Sequence, residues 1–400
     1  MPLLVDKLSL CLVKNSRVSS SRRKLIFAGL ALPLAGIVSA CNQAPGGLEA
    51  ADFTLATRVA SPPQEQPAGA AVAVDDALKT VDHVVASGKD VAVSNGGYLA
   101  IASAAEVEAG KLSPLTLPDG CGAPTASVAK PGTFVLACAE GDAQGEVFLI
   151  DANTTQLKPL ATVDFPVTTA VQTAAGRVLA AGKTSTTVVA LDENSGEEVG
   201  RTTVDRPVDQ LVAVAASSFT DRATETDEDG TDADGDAVVA INASETVIQG
   251  VKVASGKPGA ALRIGTGVGA TAPGGDNMVL ATNTPGNQVF VYTVEPVIRL
   301  HQVGNTGEGP WAVTYDAVRK LGWVSTTGDN KITAYRFGSG VPEVVGSLDA
   351  PANATSLAVV DGDLVVGADG DRPLTVIKAA DVDAAIKDLG RTDMSPTDVT

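Results

Sequence analysis

Residues 309–337 read GPWAVTYDAVRKLGWVSTTGDNKITAYRF and form the clearest unit of a pattern that repeats along the chain. An apolar run through Ala312 and Val313 leads to a second run, GWVSTT (322–327). A Gly-Asp-Asn turn follows, and then the alternating segment NKITAYR (330–336). Short apolar runs bounded by Gly, Asn and Asp are the pattern of β-strands joined by tight turns.

The second run recurs along the chain as DVAVSN (90–95), FVLACA (134–139), RVLAAG (177–182), AVVAIN (237–242), MVLATN (278–283) and LVVGAD (364–369). The central valines Val91, Val135, Val178, Val238, Val279, Val324 and Val365 are spaced by 41 to 45 residues, except for one interval of 60 between Val178 and Val238. That interval contains an insertion. Most units add an alternating strand after the repeat, such as EVFLID, TTVVALD, NQVFVYT or PLTVIK, and then a fourth segment such as EVGRTTV or EVVGSLD. Four strands per unit at such a period predict an all-β, seven-bladed β-propeller of four-stranded blades. Seven units close into a ring without a free sheet edge, and fixed spacing argues against a pair of β-sandwiches.

The 309–337 unit resembles the repeats of the YVTN and NHL propeller families, in which G-P-x-x-V-A-V-D leads to a strand, an Asn-containing turn and a final strand. VLATNTPGNQVFVYT (279–293) carries the same turn. The resemblance covers roughly residues 78 to 390 and implies architecture; propellers host many unrelated activities.

Outward from the repeats, the N-terminus changes character. Arg17, Arg22, Arg23 and Lys24 precede an uncharged apolar run from Leu25 to Val38, and Val38-Ser39-Ala40-Cys41 follows. Positive charge, a short apolar segment and small residues, in that order, mark a signal peptide. The 14-residue run is shorter than the roughly 20 residues that a spanning helix needs. VSAC resembles the lipobox of bacterial lipoproteins, which implies lipid on Cys41 and cleavage before it. Ser21-Arg22-Arg23-Lys24-Leu25-Ile26 resembles a twin-arginine motif, with Leu25 where that family has Phe, so twin-arginine and general secretory export both stay open. Anchor, spacer and propeller together resemble the LppL-type prolipoproteins of actinobacteria.

The expected organisation is a signal peptide over 1–40, a lipidated N-terminus with a Pro/Gly/Ala-rich flexible tether over 41–77, a propeller over 78–390 and a tail over 391–400. Within the tether, FTLATRV (53–59) alternates well enough to form a docked strand. The expected location is the extracytoplasmic face of the cell membrane, with lipid on Cys41 as the membrane contact.

The full chain carries a net charge of -18, and beyond residue 40 it has 23 basic against 46 acidic side chains. Such a surface repels nucleic acid and anionic headgroups. With Cys11 in the signal peptide and Cys41 lipidated, Cys121 and Cys138 remain, an even pair suited to a disulfide in an oxidising compartment. Both belong at strand ends on one face of the second blade.

That face also collects His83, Asn95, Arg206, Trp311 and Asp329 around the channel mouth, an arrangement suited to a small polar or aromatic ligand. The plainer reading is that Trp311 packs and Arg206 pairs with a neighbouring Asp. Asp227, Asp229, Asp232, Asp234 and Asp236 resemble a calcium loop but lack a closing Glu at EF-hand spacing, and a solvated acidic insertion on the opposite face is the preferred reading.

Only His83 and His301 remain after export, no nucleotide or hydrolase motif sits in context, and no cofactor or metal is expected. The expectation is a non-enzymatic, monomeric lipoprotein that binds a ligand or partner protein in the envelope. The alternative is a lactonase-like propeller hydrolase, which would use His83 or His301 with a channel carboxylate.

Overall fold

The computed structural model describes residues 53–215, 237–253, 255–275 and 277–386. Seven four-stranded antiparallel sheets make up the fold, as the repeats predict. The chain begins with β1 (Ala70–Ala71) and then builds the first blade from β2 (His83–Ser87), β3 (Asp90–Ser94), β4 (Tyr98–Ser103) and β5 (Leu115–Thr116). The second comprises β6 (Thr125–Ala126), β7 (Thr133–Glu140), β8 (Gln144–Asp151) and β9 (Pro159–Val163). In the third are β10 (Thr169–Gln172), β11 (Val178–Ala181), β12 (Thr187–Leu191) and β13 (Glu198–Thr203). The fourth holds β14 (Gln210–Val214), β15 (Ala237–Asn242), β16 (Val247–Lys252) and β17 (Lys257–Arg263). The fifth runs through β18 (Val268–Pro273), β19 (Met278–Asn283), β20 (Gln288–Thr293) and β21 (Arg299–Asn305). The sixth has β22 (Pro310–Asp316), β23 (Leu321–Thr326), β24 (Lys331–Arg336) and β25 (Glu343–Asp349). The seventh takes β26 (Ala354–Val360), β27 (Asp363–Ala368) and β28 (Leu374–Ile377) from the end of the chain and β1 from its beginning.

The repeated valines all lie in the second strand of their blades and are buried. Successive residues of that strand serve different neighbours. Val91 and Val93 pack toward the seventh blade, whereas Ala92 packs toward the second. Both sheet faces are covered, so these strands read as continuous apolar runs rather than as alternation. Apolar clusters fill all seven gaps between adjacent blades. Trp323 is the largest fully buried side chain and sits between the sixth and seventh blades. The Asn residues of the repeat turns have a conformational reason: Asn287 and Asn330 adopt left-handed φ of 51° and 50°, which Asn tolerates better than most residues.

The ring closes through β1. Ala70 pairs with Val376 and Ala71 with Thr375, so the fourth strand of the last blade precedes the first blade in sequence. Two short helices, α1 (Ala104–Glu108) and α2 (Ala379–Ala385), flank the blades. Among the described residues, no helix is long and apolar enough to cross a membrane.

Residues 53–72 of the expected tether dock on the ring, as the alternation of 53–59 allowed, but no strand forms over 53–59. Thr54 N donates to Thr266 O (3.3 Å), Ala68 N to Asp349 O (2.8 Å) and Val72 N to Leu374 O (2.9 Å). Glycine permits the close approach on both sides: a Cβ on Gly69 would come within 2.5 Å of Val376 O. Val59 lies where a Cβ on Gly309 would come within 2.8 Å of its own Cβ.

Candidate functional site

In each blade, the entry to the innermost strand and the turn between the second and third strands lie at the same end. Together these loops form the mouth face of the ring. Residues 53–69 cross half of it as a strap. Phe53 lies under Arg263, whose guanidinium carbon is 4.2 Å from the ring centroid. Ala56 approaches Gly267 at the entry to β18, and Val59 approaches Gly309 at the entry to β22. Arg58 pairs with Asp369 at 2.7 Å. Ser61 Oγ donates to Thr327 O (2.8 Å) and accepts from Asn353 N (2.7 Å), and Asn330 Nδ2 donates to Pro62 O (2.8 Å). The strap therefore engages the entries of the fifth, sixth and seventh blades, while no described strap contact reaches the first three.

The five residues expected at the mouth lie on this face, and no hydrogen bond joins any two of them among the described residues. His83 opens β2 opposite Ser94 and is half-buried. Burial holds its pKa below the ordinary imidazole value; the Asp82 carboxylate opposes this shift and the Lys183 ammonium adds to it. Asn95 is committed to structure, because its Nδ2 donates to Ala77 O (2.7 Å) and its Oδ1 accepts from Tyr98 N (3.0 Å). Arg206 Nε donates to Glu245 Oε2 at 2.6 Å, as its plainer reading anticipates, with Glu in place of Asp. Trp311 is half-buried in β22, and its carbonyl accepts from Thr282 Oγ1 (2.8 Å). Asp329 is exposed, accepts from Thr326 Oγ1 and lies against Gly307. Burial, and after it the Asp329 carboxylate, pushes the Tyr335 phenol up to about 12.

Two groups thus emerge. His83 belongs to the side of the mouth away from the strap's course, whereas Arg206, through Glu245 and Arg263, borders the strap's beginning, and Trp311 and Asp329 belong to a strapped blade. Lys183, exposed in the turn between β11 and β12, joins the first group. The sequence gives it no distinguishing mark, since its place depends on the closeness of the first and third blades around the ring. His301 stands exposed on β21, an outermost strand, rather than in the channel. No hydrogen bond from His83 to a carboxylate is present among the described residues.

Cys121 and Cys138 form a disulfide across 17 positions of sequence. Cys138 is buried in the apolar gap between the first two blades, and the bond fastens the segment before β6 to β7. Pro118, Asp119, Glu140 and Glu146 line a shallow cavity beside Cys138.

Cys41, Arg22 and Arg23 lie outside the described residues. So do Asp227, Asp229, Asp232, Asp234 and Asp236, between Val214 and Ala237, whose pairing ends β14 and β15 at the face opposite the mouth. Among the described residues, no group of His, Cys, Asp or Glu is placed to hold a metal ion.

No protein-family model and no curated protein sequence matches this chain. Among solved structures it is similar to a chain in "Crystal Structure of Mitotic Checkpoint Complex", with 13% identity and a TM-score of 0.54, over 86% of this chain and 98% of that one. Altogether 1377 solved chains match, and a shape shared so widely carries architecture without an activity. By fold, this chain is a seven-bladed β-propeller.

Proposed function

We propose that the chain is an exported lipoprotein, attached to the extracytoplasmic face of the cell membrane through Cys41, whose propeller is a binding scaffold in the cell envelope. The observation that carries the reading is Val38-Ser39-Ala40-Cys41 at the end of an uncharged apolar run behind a basic cluster. The Cys121–Cys138 disulfide supports it, because such bonds persist in oxidising compartments and are rare in the cytosol. The resemblance to LppL-type prolipoproteins belongs to the same reading.

The binding region in this reading is the open half of the mouth, where His83 and Lys183 stand. A ligand or partner segment carrying a carboxylate or other anion fits the Lys183 ammonium best, with the imidazole of His83, whose pKa burial lowers, as a hydrogen-bonding neighbour. The hydrolytic alternative would need His83 or His301 beside a channel carboxylate, and the positions of these two residues favour binding.

Mass spectrometry of the membrane fraction tests the anchor. A mature N-terminus beginning at Cys41 with diacylglycerol on its sulfur is expected, and Cys41→Ser is expected to abolish both processing and lipidation. An unmodified, uncleaved Cys41 in the wild type would overturn the anchor. A thermal-shift screen of envelope metabolites and acidic peptides tests the mouth, with Lys183→Ala expected to abolish a stabilising hit and Trp311→Ala to preserve it.

A further inference from the structure

The strap brings the beginning of the described chain onto the mouth face. Phe53, its first described residue, lies at the junction of the fourth and fifth blades on the mouth face, beside Thr266 and under Arg263. Phe53 is 42% exposed and Leu55 is 63% exposed, although both are large apolar side chains. They stand at the end of the strap closest in sequence to Cys41, with only residues 42–52 between. Even fully extended, that stretch of chain spans at most about 40 Å.

The charges around this pair are unevenly used. Arg206 is taken by Glu245, and Arg58 by Asp369. Arg263 donates to the Glu245 backbone carbonyl and lies over the Phe53 ring, with no carboxylate partner among the described residues. An exposed aromatic ring under a cation, with an exposed aliphatic side chain two residues on, suits a bilayer interface, where the ring and aliphatic group enter the acyl boundary and the guanidinium meets phosphate.

We infer that the mouth face is the membrane-facing side of the ring, with Phe53 and Leu55 seated in the lipid interface beside Arg263. This inference rests on the lipid-anchor reading and adds an orientation to it. A ligand for the open half of the mouth then arrives from the membrane side. The face bearing Val318, on the turn between β22 and β23, points away from the bilayer.

The test uses the full lipidated protein in phosphatidylcholine–phosphatidylglycerol vesicles whose acyl chains carry bromine. A thiol-reactive fluorophore is placed at Leu55→Cys or, separately, at Val318→Cys, where the side chain is 78% exposed. Cys121 and Cys138 are bonded to each other, and a lipidated Cys41 does not react. Several-fold stronger quenching and a blue-shifted emission are expected at position 55. Equal quenching at the two positions, or stronger quenching at 318, would overturn the orientation. The intact mass of the same preparation separates the two readings. A lipidated Cys41 with an unquenched label at 55 sinks only the orientation, whereas an unlipidated Cys41 sinks the anchor and the orientation with it.

Discussion

Arg319 Nε donates to Asp383 Oδ1 at 2.7 Å across 64 residues of sequence, fastening α2 to the sixth blade. The same guanidinium pairs with Asp316 (2.7 Å) and donates to the carbonyls of Gly362 and Ala379. Arg319 is 8% exposed and Asp316 is fully buried, while Asp383 is 54% exposed. The two carboxylates therefore contribute very differently. Arg319→Ala leaves Asp316 buried without its cation and is expected to cost about 3–5 kcal/mol. Asp383→Ala removes a solvated partner and should cost about 1 kcal/mol or less. Urea unfolding of both variants checks the contrast, and similar losses would contradict it.

The disulfide should stabilise mainly by restricting the unfolded chain. For a loop of this size the contribution is about 3 kcal/mol, to be read from the unfolding of a Cys121→Ala/Cys138→Ala double variant. The carboxylates Asp119, Glu140 and Glu146 beside Cys138 should also repel anionic thiols. Reduction by glutathione is therefore expected to gain more from added salt than reduction by an uncharged dithiol. Equal salt dependence would count against this electrostatic shield.

His83 gives a pH signature with a definite sign. Its folded pKa lies below the ordinary imidazole value of 6.5 because burial disfavours the imidazolium. The unfolded state therefore binds the proton more readily, and stability falls as pH drops from about 6.5 toward the folded value. Above the unfolded pKa both states are neutral and the contribution is flat. His83→Gln should lessen the loss in this window, and thermal midpoints measured from pH 7 to 5 would show it.

Gly309 allows the strap to dock. Its φ is +65°, and an added Cβ would come within 2.8 Å of Val59 Cβ. Gly309→Ala is expected to cost about 1–3 kcal/mol and to loosen residues 53–62 selectively. Hydrogen exchange should rise at the strap while the second strands of the blades keep their protection. A uniform rise around the ring would indicate that the strap and blades unfold together.

The blades were legible because each carries its own burial pattern. Val279, Val324 and Val365 are apolar for the same local reason, being in second strands covered on both faces, and their spacing records that reason seven times over. The pairing of Cys121 and Cys138 was legible for the same cause, since both sit within one unit. The mouth residues were only partly so. Their shared face follows from strand direction, but the commitment of Asn95 to Ala77 and of Arg206 to Glu245 depends on loops whose approach leaves no periodic trace.

The number of blades, their repeated strands and the signals read at Cys41 are written in the residues. How the ring closes and which half of its mouth is covered emerge only in the folded chain. Ala70 and Ala71 are both exposed, so they carry no apolar pattern, and their place comes from backbone pairing with Thr375 and Val376, some three hundred residues away. The strap is held likewise, by backbone groups and single side chains such as Ser61, in contacts that pass between distant parts of the chain. Burial repeats within a blade and is written in its residues; closure joins the two ends of the described chain and appears only when they meet.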